Sequence, residues 1–176
     1  VDDYMSRSES IGISVGVTLD DSVRFYNAGL LGKSKPIMPD EHSSFEIGSI
    51  SKTLTGMLLA EAVVEERLSL EDDIRKHLPE KYPNLEYEGT PVKVAHLLNH
   101  SSGLPFQLPH RLEDFQDLTP ARSSKLRELQ DRYGRRDLLH DLHEVSLSGK
   151  PGVNLSYSNT AAQVLGVILE DACNRP

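Results

Sequence analysis

A serine and a lysine stand three residues apart at the start of an apolar helical run, and this pair constrains the chain more than any other part of its sequence. The pair is Ser49 and Lys52, preceded by Gly48, which leaves room for a substrate to approach. The apolar positions that recur at helical period are Ile50, Leu54, Met57, Leu58 and Ala62. Because residues three apart on a helix are neighbours, Lys52 can reach the Ser49 hydroxyl. The pattern predicts a helix that carries both groups at its start.

This pair has the chemistry of a nucleophile and its base. A lysine held among apolar groups loses charge and can then accept a proton, so Lys52 would activate Ser49. The helix start also places backbone N–H groups near Ser49, where they favour a developing oxyanion. We therefore expect acyl transfer through a covalent serine ester. The alternative is that Ser49 only caps the helix and Lys52 is solvated.

A second segment, a turn-forming stretch before another apolar helical run, supplies a phenol and an amide. A lysine ammonium favours the ionised form of a neighbouring tyrosine, so Tyr157 could carry the Ser49 proton to a leaving group. The Asn159 amide could bond both Lys52 and a substrate amide. Equally, Ser158 or Asn159 could cap the helix that follows, and the two roles can coexist in one segment.

Three segments carry a resemblance to a known family. They are Phe45–Gly56 with S-x-x-K, Val94–Pro105 with H-S-S-G-L-P, and Pro151–Glu170 with Tyr-Ser-Asn as a Y-x-N element. Together they resemble the serine β-lactamase and penicillin-binding protein superfamily. A tyrosine where class A enzymes have serine indicates the branch of class C β-lactamases, D-alanyl-D-alanine carboxypeptidases and esterases.

This resemblance implies an α+β fold of the β-lactamase/transpeptidase type, an α/β framework with a helical subdomain. It implies that Ser49 is the nucleophile, Lys52 its activating partner, Tyr157 the general acid/base and Asn159 a substrate-orienting group. The substrate is then a small molecule or peptide with an amide or ester carbonyl, and no cofactor is expected. A periplasmic or extracellular location is expected as well.

The third motif of that family, K-T-G or H-x-G on a strand, does not occur in these 176 residues. The resemblance implies that this strand supplies the second oxyanion N–H, the first coming from Ser49. We therefore interpret 1–176 as the N-terminal part of a β-lactamase-like domain, with a hairpin and loop at 1–48 and a helical subdomain at 49–176. Because Val1 is not a natural start, we expect that processing or trimming removed what preceded it.

The substrate is left open among β-lactams, D-amino-acid peptides and esters. A long charged insertion at 110–136 is not a feature that a small antibiotic requires, which favours a peptidase or esterase. A different class of function also stays open, namely a catalytically silent scaffold for binding or assembly. A third alternative is a sensor that is acylated without turnover.

Local patterns predict the remaining elements. Two apolar runs at 11–31 flank Asp20–Asp21 and predict a β-hairpin. Residues 69–73 resemble a helix start, and Ser101–Gly103 resembles a C-cap for a short helix at 92–100. Further helices are predicted at 123–133, 137–147 and 160–173, and the insertion is expected to be mobile and to form the rim of a cleft.

Composition and histidine spacing exclude several classes of protein. The formal net charge of -8 argues against a nucleic-acid partner, and no apolar run approaches the length of a membrane span. The single cysteine, Cys173, cannot form an internal disulfide. Neither histidine pair, His96 with His100 or His140 with His143, carries the glutamate of an H-E-x-x-H site, so no metal is expected. The oligomeric state does not follow from the sequence.

Overall fold

The computed structural model describes residues 1–7, 11–34, 36–109 and 119–173, apart from the side chains of residues 120 and 122. The chain divides into two compact units, Val1–Gly48 and Ser49–Pro176. Helices and short antiparallel strand pairs occur together, as the sequence predicts for the α+β class.

The first unit is built on the predicted hairpin. After a short helix, α1 (Asp2–Met5), strands β1 (Gly12–Leu19) and β2 (Ser22–Gly29) pair antiparallel with Leu19 opposite Ser22. The two residues between them form the tight turn, and Asp20 takes a positive φ of 50° there. Of the described residues in this unit, Pro39 alone is buried, so the hairpin depends on its hydrogen-bond ladder more than on a core of its own.

The second unit is mainly helical. Its helices are α2 (Ser51–Val64), α3 (Val94–Leu98), α4 (Pro120–Arg132), α5 (Arg135–Leu142) and α6 (Asn159–Cys173). A 3-10 turn at Gly48–Ile50 leads into α2, and another covers Ile74–Lys76. A two-residue strand pair, β3 (Glu86–Tyr87) with β4 (Thr90–Pro91), completes the described elements.

Helix α6 is at the centre of the core, where it packs against α2, α3 and α5. Its buried residues are Thr160, Ala161, Val164, Leu165, Val167, Ile168 and Leu169. The loop at 82–85 closes the core from another side, since the Tyr82 hydroxyl donates to the Leu139 carbonyl at 3.1 Å. The Asn84 amide donates to the carbonyls of Leu142 and Val145, both at 2.9 Å. These bonds fix the end of α5, against which α6 packs.

Two local predictions were wrong. Residues 69–73 begin no α-helix, because Asp73 bridges to Lys93 in an antiparallel contact and only the 3-10 turn Ile74–Lys76 follows. The short helix α3 ends before Ser101–Gly103, and His100 rather than that tripeptide takes the first left-handed position, with a φ of 59°.

The other helices are present with shifted bounds. α4 begins at 120 rather than 123, and α5 ends at 142 rather than 147. The predicted mobility of the insertion falls partly on 110–118, which lies outside the described residues. In the part of the chain that the structure describes, no helix has both the length and the apolar character to cross a bilayer.

Candidate active site

The predicted serine and lysine meet at the start of α2. Ser49 lies in the 3-10 turn Gly48–Ile50 and is exposed, while Lys52 lies in the first turn of α2 and is half-buried. The Lys52 Nζ donates a hydrogen bond to the Ser49 Oγ at 3.2 Å. The N-cap of α2 is Ile50, and no described side chain caps that end of the helix. Ser49 is therefore not a helix cap, and Lys52 is not simply solvated.

Tyr157 contacts both members of the pair. The Ser49 Oγ and the Tyr157 Oη lie 2.6 Å apart, a short distance for a hydrogen bond between hydroxyl groups. The Lys52 Nζ lies 5.1 Å from the centroid of the Tyr157 ring, within range of a cation–π contact. Residues 108 positions apart in the chain thus form one cluster around the serine hydroxyl.

The electrostatics of this cluster favour ionisation of the tyrosine. The contact with Lys52, and then the hydrogen bond with Ser49, lower the pKa of the Tyr157 phenol from its ordinary value. Positive charge beside a phenol stabilises the phenolate, which is the form that accepts a proton. The arrangement places the Tyr157 oxygen, a candidate proton acceptor, within hydrogen-bond distance of the Ser49 hydroxyl.

Ser158 anchors the segment that carries Tyr157. Its side chain is fully buried, and its Oγ accepts a hydrogen bond from the Ala161 N–H at 2.9 Å, which is the N-cap interaction of α6. The same hydroxyl donates to the Pro105 carbonyl at 2.6 Å. Of the two candidate caps in the sequence, Ser158 is the one that caps α6. The Asn159 side chain makes other contacts.

Asn159 lies beside the cluster but bonds a different partner from the one predicted. Its backbone N–H donates to the Phe106 carbonyl at 2.8 Å, and its side-chain amide donates to the Gln107 Oε1 at 3.0 Å. Among the described residues, a hydrogen bond between Asn159 and Lys52 is not found. The sequence did not single out Gln107, since only the approach of the 104–107 loop to α6 brings it to the site.

A cavity of about 350 Å³ opens beside Lys52 and Asn159. Its described lining is rich in amides and hydroxyls, and it consists of Ser51, Lys52, Thr55, Gln107, Leu108, Gln130, Tyr133, Asn159, Ala162 and Gln163. Lys52 is the one charged side chain among those residues. Lys52 also lines a smaller cavity, whose apolar residues include Leu97, Leu98 and Leu165. The apolar surroundings predicted for the lysine therefore exist on one side only.

His100, the last residue of the helix predicted at 92–100, is a further residue of the cluster. Its ring lies 4.5 Å from that of Tyr157, centroid to centroid, at an interplanar angle of 42°. His100 lies four residues after His96, a spacing that also occurs in metal sites. In the described part of the chain, however, no three His, Cys, Asp or Glu side chains are placed to hold a metal ion.

Comparison with known proteins agrees with the resemblance seen in the sequence. The beta-lactamase family model matches residues 1–176. A beta-lactamase from Lysobacter lactamgenus is 33% identical over 117 residues, which are 66% of this chain and 30% of that protein. The structure of a beta-lactamase/D-alanine carboxypeptidase from Pseudomonas syringae matches with a TM-score of 0.73 and 27% identity, over 99% of this chain and 43% of that one.

A second beta-lactamase/D-alanine carboxypeptidase structure, from Yersinia pestis, matches with a TM-score of 0.80 over 100% of this chain and 47% of that one. At 22% identity this likeness concerns the fold alone. This chain spans less than half the length of each of these three proteins. The matches confirm the β-lactamase/transpeptidase-like fold that the sequence motifs imply. The chain belongs to the beta-lactamase family.

Proposed function

We propose that this chain carries the nucleophile of a serine hydrolase that acts through an acyl-enzyme on amide or ester carbonyls. The observation that carries the proposal is the position of the Ser49 Oγ, 2.6 Å from the Tyr157 Oη and 3.2 Å from the Lys52 Nζ. A serine hydroxyl becomes a useful nucleophile when a group within hydrogen-bond distance takes its proton. The Tyr157 phenolate would meet that condition, and Lys52 lies within hydrogen-bond distance of the same hydroxyl.

In the proposed acylation step, the Ser49 Oγ attacks the carbonyl carbon and its proton passes to the Tyr157 phenolate. The carbonyl π electrons move onto the oxygen, which becomes an oxyanion. As the tetrahedral intermediate collapses, the bond to the leaving group breaks and Tyr157 returns the proton to that group. Lys52 supports the step from beside Tyr157, because its positive charge holds the phenol pKa down.

The oxyanion needs hydrogen-bond donors at the start of α2. The first N–H groups of a helix have no acceptor within the helix, and its dipole is positive at this end. We assign the first donor to the backbone N–H of Ser49. The family resemblance places the second donor on a strand with K-T-G or H-x-G, a motif that does not occur in these 176 residues.

The proposed substrate is a small molecule or peptide with polar groups beside its reactive carbonyl. The support is the cavity beside Lys52, where Asn159 and Gln107 present amides that can exchange hydrogen bonds with a substrate amide. D-amino-acid peptides and esters stay the preferred substrates, and β-lactams stay in the test because the names of the relatives include beta-lactamase. The periplasmic or extracellular location stays a prediction that fractionation of the producing cells would check.

The proposal is tested by product release from a penicillin, a D-alanyl-D-alanine peptide and a p-nitrophenyl ester, each incubated with this chain and with its Ser49→Ala variant. We expect release of at least one product by the native chain and none above background by the variant. A stable adduct without product would instead identify an acylated sensor. Equal product release from both proteins would contradict the proposal. The absence of both adduct and product would mean that this chain by itself forms no working site, and it would not decide for the silent scaffold.

A further inference from the structure

We propose that His100 is a positioning residue, which holds the Tyr157 phenol against Ser49 and Lys52. The inference rests on the proposed function, because it assigns to His100 the orientation of the group that exchanges the serine proton. His100 does not contact the Ser49 hydroxyl in the described structure, and we assign its effect on reactivity to the Tyr157 ring that it contacts.

Three contacts hold the tyrosine segment to His100. The Ser156 N–H donates to the His100 carbonyl at 2.8 Å, and the Ser158 N–H donates to the His100 Nδ1 at 3.3 Å. These bonds secure the backbone on both sides of Tyr157, while the ring contact supports its side chain. His100 thus contacts the tyrosine segment at three points, and the Phe106 ring, 6.1 Å from that of Tyr157, adds a further contact.

The backbone of His100 indicates that the side chain itself is needed. Its φ of 59° lies in the left-handed region, which glycine adopts without strain and other residues adopt at a cost. Glycine would therefore suit the chain reversal after α3 better than histidine. A histidine supplies what glycine lacks, an aromatic face for Tyr157 and an acceptor for the Ser158 N–H. An unfavourable backbone state at a site is a reason to look for such a role.

The bond from Ser158 requires an unprotonated Nδ1, and the surroundings of His100 favour that form. Burial, and then the positive charge of Lys52, lower the pKa of the His100 imidazole from its ordinary value. The titratable groups that face the ring are Lys52 from α2 and Tyr157 itself. When the pH falls below the lowered pKa, the Nδ1 gains a proton and can no longer accept from Ser158. The tyrosine segment then loses one of its three contacts with His100.

The experiment distinguishes the contribution of the His100 Nδ1, a hydrogen-bond acceptor, from that of the His100 aromatic ring. His100→Asn keeps an acceptor near the Nδ1 position and tolerates the left-handed backbone, whereas His100→Phe keeps the ring and removes the acceptor. The measured quantity is the rate at which a fluorophosphonate modifies Ser49, read by intact mass. We expect His100→Phe to slow the reaction about 10²-fold, the cost of misplacing a reacting group by about 1 Å, and His100→Asn to slow it less. His140→Phe, on the exposed side of α5, is the matched control and leaves the rate unchanged.

A double variant shows whether His100 acts through the tyrosine. In a Tyr157→Phe chain the phenol is already absent, so adding His100→Phe is expected to cause no further loss of rate. If the double variant instead shows the full additional loss, His100 does not act by positioning Tyr157 and the inference is wrong. An unchanged rate in His100→Phe alone would also overturn it.

A second readout does not depend on reactivity. In the chain labelled with ¹³C at the tyrosine Cζ, the signal of Tyr157 is assigned by its loss in Tyr157→Phe and titrated with pH. We expect the Tyr157 pKa to rise toward the ordinary value in His100→Phe, because the phenol moves away from Lys52. No change in that pKa would overturn the inference, and His100→Asn carries the titration if His100→Phe does not fold. Absence of any fluorophosphonate adduct on the native chain would count against the proposed function alone.

Discussion

The helices α2 and α6 are both apolar in sequence and pack against each other, yet they are buried to very different extents. α6 buries most of its first eleven residues, whereas the buried residues of α2 are Leu59 and Ala62. The apolar positions that predict α2 are largely exposed, as shown by Leu54 at 54%, while Leu165 on α6 is 2% exposed. Helical periodicity therefore predicts that a helix forms but not how much of it the core covers.

The unequal burial of α2 and α6 indicates different roles for the two helices. α6 is held over most of its surface, so it fixes Tyr157 and Asn159 at its start through the buried cap Ser158. α2 contacts the core along a narrow face and presents Ser49 and Lys52 at an end that no described side chain caps. We infer that the start of α2 serves reactivity and that the body of α6 serves stability.

The largest expected effect is on reactivity. Removing the polar end group of either partner, in Lys52→Met or Tyr157→Phe, is expected to slow fluorophosphonate labelling of Ser49 by about 10²- to 10⁴-fold, the usual contribution of acid–base catalysis. Thermal unfolding of both variants is expected to stay close to that of the native chain, because both side chains lie at the edge of the core. Leu54→Ala is the matched control on α2, and a rate within a few-fold of the native rate in both site variants would contradict the assigned roles.

The comparison of α2 with α6 also predicts that replacing a leucine by alanine lowers the free energy of unfolding by different amounts on the two helices. Leu165→Ala removes a buried side chain from α6 and is expected to lower the free energy of unfolding by about 2–5 kcal/mol. Leu54→Ala removes an exposed side chain from α2 and is expected to change it by less than about 0.5 kcal/mol. Urea unfolding of both variants measures the difference. Equal losses would show that α2 is held as firmly as α6.

Ser158 and Ser49 give a further comparison, between a serine that caps a helix and one that does not. Ser158→Ala removes the cap of α6 and a partner of the Pro105 carbonyl, and it is expected to cost about 1 kcal/mol of stability. Ser49→Ala removes no cap, so its expected cost is within about 0.5 kcal/mol although labelling is abolished. Unfolding midpoints in urea test the pair. A larger loss for Ser49→Ala than for Ser158→Ala would contradict the division of tasks.

The smallest expected effect is a shift in the pH dependence of labelling. The phenolate of Tyr157 accepts the serine proton, so labelling is present above the Tyr157 pKa and is lost as the pH falls through it. Because Lys52 lowers that pKa, the midpoint is expected below about 10, the ordinary value of tyrosine. Lys52→Arg keeps the charge and is expected to retain a lowered midpoint, whereas Lys52→Met is expected to raise it. Identical midpoints in the two variants would show that charge is not the cause.

Features encoded by neighbouring residues could be predicted from the sequence. The alternating runs around Asp20–Asp21 predict the hairpin, and the S-x-x-K spacing predicts the contact of Lys52 with Ser49. Ser158 could be offered as a cap because a serine before an apolar helical run commonly has that role. The resemblance to the family also predicted that Tyr157 belongs to the same centre.

Features that depend on distant contacts could not be predicted. Gln107 and His100 join the site because the 100–107 loop lies against the 156–159 segment, and no local pattern encodes that approach. The helix expected after Ser69 fails for the same reason, since the bridge between Asp73 and Lys93 holds the chain extended. The bond from the Asn159 amide N–H to Gln107 also depends on that approach, so no pattern in the sequence indicated it.

Peptide mapping of the adduct tests the central claim most directly. The native chain and its Ser49→Ala variant are each incubated with a fluorophosphonate and, separately, with a penicillin, and the modified residue is located by mass spectrometry. We predict a single adduct on Ser49 with at least one reagent and none in the variant. An adduct that persists in the variant, or one that maps to another residue of the native chain, would contradict the claim that Ser49 is the activated nucleophile.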